Sequence, residues 1–406
     1  MAVLLTPQQR KPGETRPRSA PGRIAILDGL RLVAALIVVA YHYIGYDRGA
    51  VKPWGAAADR AFPALATPAS YGWLGVELFF LISGFVICMS AWDRDPGHFL
   101  RSRVVRLFPA YWAAALLTFA VLTLWPLVRG PVGPSDLMVN LTMLQEPLGV
   151  RSVDAVYWTL WVEARFYLLF AILVWRGLTV RRAALFGAGW LAAAALATQA
   201  GLPALDMIVM PDYAPYFVAG IALFLIHRFG SHAGLWGLVA VAFLLAQHHV
   251  LRQTHHVAAD VLGRPLSPWP AFALLTAIFA AMSLVATGRL DQVRWRWLTT
   301  AGALTYPLYL LHEYIGWTLI AALHAHLGRY PTLALVVTLM LGVAWLLHRY
   351  VERPASRLLR KWLSAPLPGP LTLAHGFARG ADERIRAHQP DGAATPGVHV
   401  DPGRRP

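Results

Sequence analysis

Apolar runs recur along this chain at a length of about 17 to 24 residues, which as α-helix matches the hydrocarbon thickness of a bilayer. They lie near residues 24–44, 73–91, 107–128, 157–175, 183–201, 213–229, 233–250, 268–288, 300–322 and 331–349. Hydrocarbon offers no partner to a backbone amide, so each run must satisfy its own hydrogen bonds. The pattern predicts an all-α fold, a polytopic membrane helix bundle of about ten transmembrane helices. With 57% hydrophobic and 14% charged residues, the composition excludes an ordinary soluble enzyme of this size.

The formal charge of +15 raises the question of nucleic acid, and the position of the charges answers it. If the N-terminus is cytoplasmic, roughly 21 Lys and Arg fall on inside segments and roughly 8 on outside ones, the bias that sets membrane topology. Both termini are therefore expected in the cytoplasm, with the bilayer as partner and no nucleic acid. Residues 1–22 read as a disordered basic tail, 23–362 as the transmembrane domain and 363–406 as a disordered tail rich in Pro, Gly and Arg. The single cysteine, Cys88, leaves no disulfide and reads as a small buried hydrophobe. The expected location is a membrane, crossed many times; oligomeric state is not legible.

Ionisable groups inside such spans are costly and mark functional paths. Arg31 and His42 both lie in LDGLRLVAALIVVAYH, Leu27 to His42. Eleven positions separate them, roughly 16 Å along a helix and nearly the same face. Asp28 reads as a cap or a partner of Arg31. Glu163 lies in the fourth span and Arg165, two residues on, points to a different face. A carboxylate that orients an imidazole raises its basicity, so His42 and Glu163 are the candidate catalytic pair for taking a proton from a hydroxyl. Arg103 and Arg106, one helical turn apart at the mouth of the third span, suit phosphate or anionic lipid headgroups.

Other features carry less. His248, His249, His255 and His256 invite a metal, but no carboxylate or thiolate completes a set in the sequence, and no metal is assigned. Tyr306 and Pro307 suggest a local irregularity in the ninth span, because Pro removes a backbone donor. His312 and Glu313 lie further along it. The competing class is a transporter or flippase for a glycan or lipid-linked sugar. Such proteins are commonly built from repeats, and no internal repeat is evident.

Taken together, the blocks resemble the acyltransferase-3 family of integral membrane O-acyltransferases. The resemblance rests on Arg31 followed by His42, GVELFFLISGFVI from Gly75, Arg103 and Arg106 with LFPAYW, WTLWVEARFY from Trp158, GALTYPLYLLH from Gly302, and the closing Glu352, Arg353 and Pro354. It implies transfer of an acyl group, by default acetyl, from cytoplasmic acyl-coenzyme A to a hydroxyl of a carbohydrate. Lipopolysaccharide, exopolysaccharide or another cell-envelope or lipid-linked glycan would be the acceptor, and a bacterial inner or plasma membrane the location. Carried over, His42 is the catalytic histidine, Arg31, Arg103 and Arg106 belong to donor binding, and Tyr306 and His312 are candidate substrate-binding residues. A packing role for His312, and direct transfer against an acyl-histidine intermediate, stay open. The block around Glu163 departs from the family at Trp161, Ala164 and Arg165, where a small polar residue, a second acid and Gln are common.

Overall fold

The computed structural model describes residues 24–47 and 51–364. Among them every regular element is helical. The tail expected over 363–406 begins inside a helix, Arg353–Ser364. Its remainder, like the tail over 1–22, lies outside the described residues.

Ten long helices follow in chain order: α1 (Ala25–Ala40), α2 (Leu74–Ala91), α3 (Pro96–Leu124), α4 (Trp158–Trp175), α5 (Val180–Ala200), α6 (Ala214–Phe229), α7 (Ala233–His256), α8 (Pro268–Ala286), α9 (Arg296–Leu327) and α10 (Arg329–Leu346). Nine helical segments among the described residues are long and apolar enough to cross a membrane. The tenth expected span is α9, whose 32 residues exceed the length required. His312, Glu313 and several tyrosines lower its hydropathy, because this helix carries much of the polar interior. It runs unbroken through Pro307, so the expected irregularity falls elsewhere. Three π-helical segments, Tyr41–Gly45, Val257–Leu262 and Leu347–Glu352, extend α1, α7 and α10. Such insertions re-aim side chains and recur at functional sites, and the first of them carries His42.

Helix α6 is apolar on all sides and buried from Ala214 to His227, which fits a helix enclosed by others. It packs on α2, α5 and α7, while α1 lies between α2 and α9. Close approach of α2 and α6 depends on two glycines. A Cβ on Gly84 would stand 2.2 Å from the carbonyl oxygen of Phe217, and one on Gly220 2.1 Å from that of Leu81. Lipid tails provide no hydrophobic drive between helices, so backbone contact across small residues supplies the packing. The outer helices turn Leu185, Leu196, Leu244 and Trp269 outward, the surface a bilayer would cover.

Candidate active site

Two polar clusters lie inside the bundle. The first is a cavity of about 120 Å³ lined by Arg31 of α1, Ser83 of α2, Arg103 and Arg106 of α3, Glu163 of α4 and Tyr306 and Tyr309 of α9. Helical spacing explains the α4 contribution, since Thr159, Glu163 and Tyr167 are four apart and share one face. Glu163 accepts hydrogen bonds through Oε1 from Ser83 Oγ at 2.8 Å and from the Tyr167 hydroxyl. Arg31 feels Asp28, Glu163 and Arg106 together.

The two arginines of α3 are not equivalent. Arg106 Nη1 donates to Glu352 Oε1 at 3.0 Å, and its guanidinium lies 5.8 Å from the Tyr306 ring centre. Arg103 donates to Ser102 Oγ and lies against the rings of Phe99 and Tyr167, at 5.7 and 6.0 Å. Glu352 also meets His348 Nδ1 at 2.8 Å. The closing Glu-Arg-Pro block thus anchors one half of the arginine pair.

The second cluster surrounds His42. Its Nδ1 lies 3.0 Å from the carbonyl oxygen of Val38 and 3.0 Å from Nε2 of His312. His312 Nδ1 lies 2.8 Å from the carbonyl oxygen of Tyr309. A carbonyl only accepts, so His312 carries its hydrogen on Nδ1 and presents the Nε2 lone pair. His42 Nδ1 then faces two acceptors and must be the donor. The lone pair of a neutral His42 is left on Nε2, 3.9 Å from Glu313 Oε2. That separation is longer than a hydrogen bond, yet a hydroxyl oxygen lying off the line between the two atoms can reach both.

Packing and main-chain bonds hold this cluster. Trp317 Nε1 donates to the His42 carbonyl at 2.8 Å, and the Tyr43 hydroxyl donates to that of His312 at 2.8 Å. Tyr46 stacks on Trp317 at 5.4 Å, beside the His42 ring. Glu313 is hydrogen-bonded to Asp154, whose two oxygens accept from the backbone amides of Val156 and Tyr314, each at 3.3 Å. Glu313 Oε2 has no hydrogen-bond partner among the described residues. A buried acceptor left unpaired costs about 1–3 kcal/mol, which makes this atom a candidate to receive a hydrogen bond from a substrate or from a charged His42.

The residues singled out in the sequence therefore divide. Arg31, Arg103, Arg106, Glu163 and Tyr306 share the cavity, whereas His42 and His312 meet elsewhere. The carboxylate facing His42 is Glu313; Glu163, read in the sequence as its orienting acid, instead bonds Ser83 and Tyr167. The sequence alone points neither to Asp154 nor to a role for Glu313; Glu313 adjoins His312 in the chain, but one span cannot reveal which neighbour meets His42. Tyr309 belongs to both clusters: it lines the cavity, its hydroxyl meets Thr159 Oγ1 at 2.9 Å, and its carbonyl holds His312.

A helix bundle of this length and apolarity with an arginine-lined cavity and a fixed imidazole pair inside it defines a class, the multi-pass membrane protein with a buried polar site. The model of the acyltransferase-3 family, described as an acyltransferase domain, matches residues 24–349, and the chain belongs to that family. It is 29% identical over 388 residues to Acyltransferase MdmB of Streptomyces mycarofaciens, covering 86% of this chain and 96% of that protein. It is also 35% identical over 112 residues to Protein 2 in picA locus of Rhizobium radiobacter, covering 25% of this chain and 48% of that protein. No solved structure matches. The protein is a multi-pass membrane acyltransferase acting with groups other than amino-acyl groups.

Proposed function

We propose that this protein transfers an acyl group, acetyl by default, from cytoplasmic acyl-coenzyme A to a hydroxyl of a cell-envelope or exported glycan, with His42 as general base. Both termini would be cytoplasmic, in a bacterial inner or plasma membrane. The observation that carries the reading is the hydrogen-bond chain from Tyr309 to His312 to His42. It supports one tautomer of His42, with a basic Nε2 beside Glu313.

The donor's phosphates would meet Arg103 and Arg106, because guanidinium groups bind phosphate oxygens in bidentate fashion. Its pantetheine arm would follow the cavity past Glu163 toward Tyr309. The acceptor hydroxyl would sit within reach of both His42 Nε2 and Glu313 Oε2. His42 takes its proton as the oxygen attacks the thioester carbonyl; the new C–O bond forms, the C–S bond breaks, and the proton passes to the departing thiolate. Glu313, with the Asp154 carboxyl to which it is hydrogen-bonded, stabilises the imidazolium between these steps, a charge that water would otherwise have to solvate. A covalent acyl-histidine is the rival route.

Purified protein in lipid nanodiscs, given acetyl-coenzyme A labelled in the acetyl group, should consume thioester and pass label to added glycan. Absence of any donor consumption would overturn the reading in favour of transport. Label trapped on His42 after acid quench would replace base catalysis with the acyl-enzyme route. Mass spectrometry of envelope glycans with and without the gene reports acyl mass and modified sugar together.

A further inference from the structure

Helix α4 is a wall with two sides. Thr159, Glu163 and Tyr167 face the arginine cavity, while Trp161 and Arg165 line a separate cavity of about 440 Å³ with Glu146, Asp212, Tyr213 and Arg252. Arg165 lies 5.5 Å from the Trp161 ring centre, and its Nη1 donates to the Met207 carbonyl at 2.7 Å. Its Nε is buried without a hydrogen-bond partner among the described residues.

Behind the cavity runs a polar network that the proposed reaction does not use. Asp212 Oδ1 meets Arg252 and, at 3.2 Å, His249 Nδ1; His249 Nε2 lies 3.5 Å from Glu77 Oε1. His249 and Glu77 are 5% and 3% exposed. Ionisable groups so deep in a membrane bundle ordinarily mark a ligand path. Asp212 is thereby held on two sides, by Arg252 and by His249.

Chemistry narrows the occupant. The lining carries two guanidinium groups, Arg165 and Arg252, against three carboxylates, Glu146, Asp206 and Asp212, a balance that disfavours both a phosphate and a cation. Alternating strong donors and acceptors beside two aromatic residues, Trp161 and Tyr213, suit a neutral ring bearing vicinal hydroxyls. Its C–H face would lie on the indole and its oxygens on the charged rim. A volume of this order falls in the range of small-molecule sites.

We propose that this cleft binds a sugar ring of the acceptor other than the one that is acylated, and so sets acceptor length and identity. This rests on the acyl-transfer reading above. The helix between the cleft and Glu163 separates recognition from chemistry: the acylated ring goes to His42, and a ring further along the same acceptor to the far side of α4.

The test compares methyl pyranosides with the corresponding methyl tetrasaccharides as acceptors for the protein in nanodiscs, alongside binding measured by saturation-transfer NMR without donor. In wild type the tetrasaccharide KM should be about tenfold below that of the monosaccharide. W161A and R165A should abolish that advantage, with the donor KM within twofold, and W161F should restore it. Equal KM for both acceptors in wild type, or W161A indistinguishable from it, would overturn the cleft and leave the transfer reading standing. Tetrasaccharide binding that depends on Trp161 without any acyl transfer would do the reverse. W161F and coenzyme A release without acceptor show whether a silent variant has folded.

Discussion

The two polar clusters of this bundle are built in opposite ways. Around the arginine cavity the groups are long and adaptable: the Arg106 side chain is 44% exposed and its pairing with Glu352 is one-sided. Around His42 the groups are short and fixed, with His42 13% and Glu313 3% exposed, and main-chain carbonyls determine which nitrogen bears hydrogen. The difference separates binding from chemistry. A flexible, multiply charged ligand is held by cations that can follow it, whereas proton transfer requires one tautomer in one place.

That contrast predicts different kinetic failures. The largest is expected for H42A, which should lower kcat by about 10²–10⁴-fold, the usual worth of a general base. Membrane insertion and donor affinity should persist, and substantial transfer by H42A would dissolve the distinction between the clusters. E313Q keeps shape and breaks the acid pair that Glu313 forms with Asp154; it should lower kcat by about 10–100-fold with donor KM little changed, the loss of one charge-assisted interaction. Steady-state kinetics with both substrates varied reads this directly. If Glu163→Gln gave the same kcat loss at unchanged KM and E313Q did not, the assignment of the acid would revert to the cavity.

R103A should act on the other side of the comparison. A charge-assisted hydrogen bond contributes about 1.5–3 kcal/mol, so its donor KM should rise by about 10–100-fold with kcat largely retained. The effect should weaken at high salt, where exposed charges are screened. An unchanged donor KM would make lipid anchoring the better account of that arginine. The smallest effect falls on Y309F, which deletes the hydroxyl bonded to Thr159 but keeps the ring and the carbonyl under His312. A loss of about 1 kcal/mol, roughly fivefold in kcat/KM, is expected. Because Tyr309 touches both clusters, unequal changes in kcat and KM would show which one its hydroxyl serves.

Much of the architecture was legible because it follows from solvent. The apolar runs near 24–44 and 73–91, for example, correspond to Ala25–Gly45 and Ala66–Ala91, since bilayer thickness dictates length. Arg31, Arg103 and Arg106 could be named together, and they do share a cavity. The acid opposite His42 could not: Glu163 and Glu313 are both single acids inside apolar spans, and nothing along the chain ranks them. Which one meets His42 depends on packing of α1 against α9. In the same way, the chain shows no carboxylate completing a set with His248, His249, His255 and His256, yet folding brings His249 against Glu77 and Asp212, both distant in sequence.

By itself, then, the order of residues determined that the chain forms a membrane bundle and which side chains are too polar to be there without reason, because both follow from local transfer free energy. The pairing of those side chains was decided only in three dimensions. Ring nitrogens, carboxylates and carbonyls act over a few ångströms, and only helix packing sets distances at that scale between groups as far apart in the chain as His42 and His312.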